Sequence, residues 1–140
     1  MNRQALAERI AAVIEREDRA SRLLGMKLLE VGPGRARLSM RVSGEMVNGQ
    51  KVCHGGLIFS LADSSFGYAC NTHNQRALAA SCSIDFLAPA QLGDELTAHA
   101  QETAHAGRTR LYDVRVTNQA GELIALFRGK LAAVKGTWVE

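Results

Sequence analysis

Aromatic residues make up only 5% of this 140-residue chain, with two prolines, one tryptophan and three cysteines. An odd number of cysteines, Cys53, Cys70 and Cys82, with no Cys-x-x-Cys spacing, excludes a disulfide framework and points to a reducing compartment. The four histidines (His54, His73, His99, His105) are not spaced with the cysteines as zinc ligands are, so no metal site is expected. Long apolar runs are also missing. Ser60, Asp63, Ser64 and Ser65 interrupt the best candidate for a membrane span. Arg3, Glu8 and Arg9 interrupt any secretory signal, so the expected location is cytoplasmic. The net charge of +3 comes from scattered arginines with no block of like charge, which argues against nucleic acid as a partner.

What remains is an ordinary globular composition, 46% apolar and 22% charged. It suits one domain over 1–140 that can bury a core without staples. Residues 2–24 have a helical period, with Leu6, Ile10, Val13 and Ile14 on one face and Gly25 as a stop. A hairpin is expected around Gly32-Pro33-Gly34, and its second arm alternates Ala36, Leu38, Met40 and Val42 with arginines and a serine. An uncharged helix, buried on most of its circumference, is expected near 55–72. Residues 77–87 alternate Leu78, Ala80, Cys82, Ile84 and Phe86 on one face. Three more strands, 95–104, 109–117 and 122–134, follow across glycine-bearing turns, the alanine-rich first of them carrying the weakest strand signal. Sequential strands joined by tight turns imply an antiparallel sheet, hence an α+β fold with the sheet curled around the central helix.

The segment HGGLIFSLADSSFGYACNTH, residues 54–73, carries the chemistry. The first amides of a helix have no internal partner and sit at the positive end of its dipole, so Gly55 and Gly56 offer a bare approach for an oxyanion. Asp63 is the one formal charge in the stretch, and a carboxylate kept in dry surroundings has its pKa raised. Two plain readings stand beside this one: an ion pair with an arginine, or a place on a solvated strip. Asp63 lies roughly 11–12 Å along the axis from the glycines, at ~1.5 Å per residue. One helix therefore cannot bring both to one carbonyl. A second copy running antiparallel across a two-fold axis can, which predicts a homodimer with shared active sites. Cys53 beside His54 is not expected to act as a thiolate–imidazole pair, because neighbours on an extended segment point to opposite faces. Arg108, Arg110 and Arg128 are candidates for meeting phosphates.

The segments MVNGQKVCHGGLIFSLADSSFGYACN (46–71), SIDFLAPAQLGDELTAHA (83–100) and LYDVRVTNQAGELIALFRGK (111–130) resemble those of the hotdog-fold acyl-CoA thioesterases, most closely the branch serving phenylacetate breakdown. The resemblance spans roughly residues 20–135. It implies a sheet wrapped around the 55–72 helix, dimers that join into one continuous sheet, and a homotetramer. It implies hydrolysis of an aromatic acyl-CoA without a cofactor, with Asp63 either activating water as general base or attacking as nucleophile to give a mixed anhydride. Asp63 takes the place of the family's catalytic acid, Gly55 that of the polarising amide, with Gly56 beside it. Asn48 and His54 match its other active-site positions, and Ser64 stands where close relatives often carry threonine. The alternatives are an enoyl-CoA hydratase or dehydratase of the same fold, with His54 as base, and a non-catalytic acyl-CoA-binding protein.

Overall fold

The alternating segments become one sheet folded over one helix. The computed structural model describes residues 2–140. Helices α1 (Arg3–Glu17) and α2 (Arg19–Leu23) lead into strands β1 (Lys27–Gly32) and β2 (Arg35–Arg41). After the central helix α3 (Gly55–Cys70) come β3 (Ala77–Phe86), β4 (Glu95–Ala106), β5 (Thr109–Thr117) and β6 (Leu123–Ala133). The six strands form an antiparallel sheet in the order β1-β2-β4-β5-β6-β3. This is the α+β hotdog arrangement, and β4 is a strand despite its alanines. No helix among the described residues is long and apolar enough to cross a membrane.

The helix–sheet contact explains the small residues. Ile58, Leu61, Ala62, Ser65, Phe66 and Ala69 fall at helical spacing and are all buried. Facing strands contribute Ala36, Ala98 and Ala100, each fully buried, so the helix lies close to the backbone. Ser65 exploits that closeness: its hydroxyl lies 3.1 Å from the Ala36 carbonyl oxygen and 3.3 Å from that of Ala98. The few aromatics concentrate under the same helix, where Phe66 packs against Tyr112 and Phe127 at centroid distances of 5.5 and 5.9 Å. Gly129 makes room for the Phe66 ring, since a Cβ there would lie 2.8 Å from Phe66 Cε2.

Four expectations need correction. The helix over 2–24 is two helices: Asp18 leaves helical geometry (ψ 84°) and caps α2 by accepting from the Ser21 N–H at 3.1 Å and the Ser21 hydroxyl at 2.6 Å. A short acidic side chain that competes for backbone donors favours a cap over continuation. The central helix ends at Cys70 rather than 72, because Asn71 turns its amide back onto the Gly67 carbonyl at 2.7 Å. One face of α3 is buried, but the strip Gly56, Ser60, Asp63, Ser64 and Gly67 is only partly covered or exposed. Finally, the alternation from 78 to 86 breaks at a bulge between Ala79 and Ser81. Cys82, Ile84 and Phe86 pair with the buried Gly129, Phe127 and Ala125, whereas Leu78 pairs with the exposed Ala132 and is itself 66% exposed.

Gly129→Ala is expected to lower stability by about 1–3 kcal/mol through overpacking against Phe66. The check is a lower urea midpoint at an unchanged m-value; an unchanged midpoint would show that the ring moves freely.

Candidate active site

A closed loop aims the start of α3. Val47 bridges to Cys53. Asn48 donates its N–H to the Val52 carbonyl at 2.8 Å, while its side-chain oxygen accepts from the Gln50 N–H at 2.9 Å. The Asn48 oxygen is thus used in building the loop, and its Nδ2 has no acceptor among the described residues. His54 is the N-cap: its Nδ1 accepts from the Gly56 N–H at 2.9 Å. A neutral imidazole accepting at Nδ1 carries its proton on Nε2, so His54 presents an N–H outward. The Gly56 amide is therefore occupied, which removes it from the expected pair of donors. The Gly55 N–H has no partner among the described residues. Over it sits Phe86, whose Cζ would lie 3.1 Å from a Cβ at Gly55. An apolar cleft of about 320 Å³ opens here between Gly55, Ile58, Phe86 and Pro89.

Asp63 stands two turns further along. It is half-buried and makes no hydrogen bond or ion pair among the described residues. The ion-pair reading thus fails, and burial alone raises its pKa above the ordinary 3.8. It borders an apolar cavity of about 260 Å³ with Ser64, Ile14, Phe66, Leu78 and Trp138. Ser64 Oγ lies 3.3 Å from Ser21 Oγ, which is bonded to Asp18. Asp18 also accepts from the Tyr68 hydroxyl at 3.4 Å.

Asp63 and Gly55 line different cavities, so one chain does not unite them. Both cavities open along β3. Phe86 covers Gly55 at its end, and Ala77 to Ala79 border the Asp63 cavity at its start. Asp18, Ser21 and Trp138 enter this region from outside the 54–73 motif, and Tyr68 joins them from within it. The only sequence hint was an acidic residue interrupting a helical period at 18.

A second, basic region lies past the C-terminal end of α3. A cleft of about 660 Å³ is lined by His73, Gln75, His105, Arg108 and Arg110, and it shares Cys70 and Ala77 with the Asp63 cavity. Beside it the buried Tyr112 hydroxyl, His73 Nε2 and Glu102 Oε1 lack hydrogen-bond partners among the described residues. Burial, then the Arg110 guanidinium, holds His73 below the usual imidazole range. Arg128 is committed elsewhere, in a bidentate pair with Asp113 at 2.7 and 3.0 Å. The thiols are not activated: burial pushes Cys53 and Cys82 up, and Cys70 up to about 12.

Because the Asp63 pKa is raised on folding, the folded chain holds a proton that the unfolded chain releases. Stability therefore falls as pH rises through that window and stays reduced above it. Asp63→Asn is expected to raise Tm at pH 7, with the difference narrowing toward pH 3.8. A lower Tm at pH 7 would mean that the carboxylate has a stabilising partner.

Comparison with known proteins agrees with this architecture. The family profile described as Thioesterase superfamily matches residues 50–125. Acyl-coenzyme A thioesterase PaaI of Escherichia coli is 43% identical over 120 residues, 86% of each chain. A putative esterase of Archaeoglobus fulgidus is 39% identical over 129 residues, 92% of this chain and 84% of its own. The solved structure of the E. coli PaaI protein from the phenylacetic acid degradation operon superposes with a TM-score of 0.94 at 40% identity, covering 97% of this chain and 99% of that one. With its fold, its motif-bearing helix and these relatives in agreement, the chain belongs to the thioesterase superfamily.

Proposed function

We propose that this enzyme hydrolyses aromatic acyl-CoA thioesters of the phenylacetyl type, in phenylacetate catabolism, at sites shared between two protomers. One observation carries the reading: a half-buried carboxylate and a helix-start amide, both without a partner among the described residues, lie at opposite ends of one edge strand. β3 pairs only with β6 and leaves its other edge open, with Leu78, Phe86 and Leu87 more than half exposed. Such an edge invites a second strand. Antiparallel pairing of two β3 strands about a two-fold near Cys82 sets Phe86 of one protomer against Leu78 of its partner. Gly55 then confronts Asp63 twice over, and pairs of dimers complete a homotetramer.

In each composite site the Gly55 N–H donates to the thioester carbonyl oxygen, which gains charge in the transition state. The α3 dipole adds to that field. Asp63 of the other protomer takes a proton from water as the water oxygen bonds to the acyl carbon. The C–S bond then breaks, and the CoA sulfur leaves with a proton. The raised pKa and the free carboxylate oxygens suit Asp63 to the base role. Asn48 Nδ2 and His54 Nε2 supply donors that orient the substrate, and the Ser64 hydroxyl, fixed by Ser21, helps hold the water. His54 presents a donor rather than a base, which argues against hydratase chemistry. The Arg108 and Arg110 cleft, positive and near the Asp63 cavity, receives the CoA phosphates.

Asp63→Asn should lower kcat for phenylacetyl-CoA by about 10²–10⁴ with little change in KM. Gly55→Pro deletes the amide hydrogen at a helix position where proline is tolerated, and should cost about 10²–10³ in kcat. Mixing Asp63→Ala with Gly55→Pro chains should restore activity at the one intact composite site per heterodimer. No recovery in verified heterodimers contradicts the shared site.

Replacing Arg108 and Arg110 by alanine should raise KM for phenylacetyl-CoA about 10-fold or more while leaving KM for phenylacetyl-pantetheine, which lacks the nucleotide, nearly unchanged. Equal losses for both substrates would place the phosphates elsewhere.

A further inference from the structure

We propose that Trp138 is the specificity-determining wall of the Asp63 cavity, the surface on which an aromatic acyl group packs. This inference rests on the thioesterase reading and adds to it the residue that selects the acyl group.

The C-terminal segment does not leave the body after β6. It turns at Gly136 (φ 111°) and is fastened to the loop that follows α3. The Val134 N–H donates to the Arg76 carbonyl at 2.8 Å, and Arg76 returns its N–H to Gly136 at 3.1 Å and its Nε–H to Thr137 at 2.9 Å. Asn74 accepts from the Trp138 and Val139 N–H groups at 3.0 and 3.1 Å. Every one of these bonds involves residues 74–76, so the strap is held where α3 ends and β3 begins.

The strap delivers one large side chain. Trp138 donates its indole N–H to Asn71 Oδ1 at 2.8 Å, and that same oxygen accepts from the Ala77 N–H at 2.9 Å. The Arg76 guanidinium carbon lies 3.9 Å from the ring centroid. The indole is therefore fixed by a hydrogen bond at its edge and a cation over its face, so little ordering remains when a ligand arrives. The ring forms a boundary of the cavity that Asp63 borders, with Ile14, Phe66 and Leu78 as other apolar walls. At about 260 Å³ this space fits the acyl portion of a thioester and not the whole CoA ester. A flat, rigid aromatic wall beside apolar neighbours favours a flat aromatic guest in stacked or edge-on contact. Indole supplies no group for hydrolysis, so its effect falls on the choice of acyl group.

Trp138 is the sole tryptophan, so its emission reports this wall alone. In the Asp63→Ala protein, phenylacetyl-CoA is expected to change the indole emission well beyond the effect of CoA or acetyl-CoA. Bound phenylacetyl-CoA, verified by equilibrium dialysis, with emission identical to that with CoA overturns the inference, as does failure to bind it at all. In the active protein, Trp138→Ala should cut the preference for phenylacetyl-CoA over acetyl-CoA, as a ratio of kcat/KM values, about 10-fold and mostly through KM. Trp138→Phe should keep most of that preference. Equal losses on both substrates overturn the inference and reduce the strap to a structural tie. If the unaltered protein hydrolyses neither ester, the thioesterase reading fails, and the emission measurement alone decides the role of Trp138.

Discussion

A carboxylate drawn partly out of water with no cation to answer it is the constraint on which the rest of this molecule turns. Burial costs a charged group free energy unless something compensates, and no side chain among the described residues does so for Asp63. The apolar face of α3 is anchored by Phe66 in the hollow above Gly129 and by Ser65 on the backbones of β2 and β4. That packing fixes the helix about its own axis, and the strip with Asp63 and Ser64 has to face away from the sheet. The rotation that satisfies the core therefore sets the position of the acid. The protein tolerates a destabilising group because the interactions that hold it in place are made by other residues.

The same helix separates two kinds of electrostatics. At its start the dipole and a bare amide favour negative charge. Of the two glycines only Gly55 is available, because His54 closes the amide of Gly56. A single directed donor defines one oxygen position more sharply than two competing ones. Two turns later the surroundings are apolar and favour a neutral acid or a poised base. Within one chain the two environments stay apart, because two turns of helix separate Asp63 from the positive end of its own α3. On the proposed reading they meet only across β3, with the thioester carbon between them.

Much of this was legible in the sequence. Period-two alternation located β2, and the glycine-bearing turns marked off β4, β5 and β6 as successive strands. The Gly-Gly pair and the isolated Asp63 marked the two ends of the proposed site, because a charge inside a dry helical stretch and a bare helix start are both local signals. What stayed hidden depends on competition between partners. Whether Asp18 continues a helix or caps a new one turns on its bond to Ser21, three residues away. Whether Gly56 offers its amide turns on the rotamer of His54. The bulge after Ala79 shifts which side of β3 faces the core, and an alternating pattern with alanines on both faces cannot record such a slip. Trp138 reaches the Asp63 cavity through contacts with Asn71, Asn74 and Arg76, more than sixty residues earlier.

Two of these hidden features, the cap at Asp18 and the placement of Trp138, share a location. Asp18 and Ser21 come from the N-terminal helices, Trp138 from the C-terminal strap, and both sets converge on the one cavity beside Asp63. The C-terminal strap lies outside the sheet-and-helix core, whereas α1 contributes Ala7, Ile10 and Ala11 to the buried interior. A core built on close helix–sheet packing tolerates little change in volume, so the geometry of Gly55 and Asp63 is held by residues that cannot easily vary. The strap carries less of that restriction, and its side chains can change the size and character of the cavity without moving the acid. On the proposed reading, the fold keeps its hydrolytic geometry on the central helix, held by core packing, and leaves the choice of acyl group to segments at its edges.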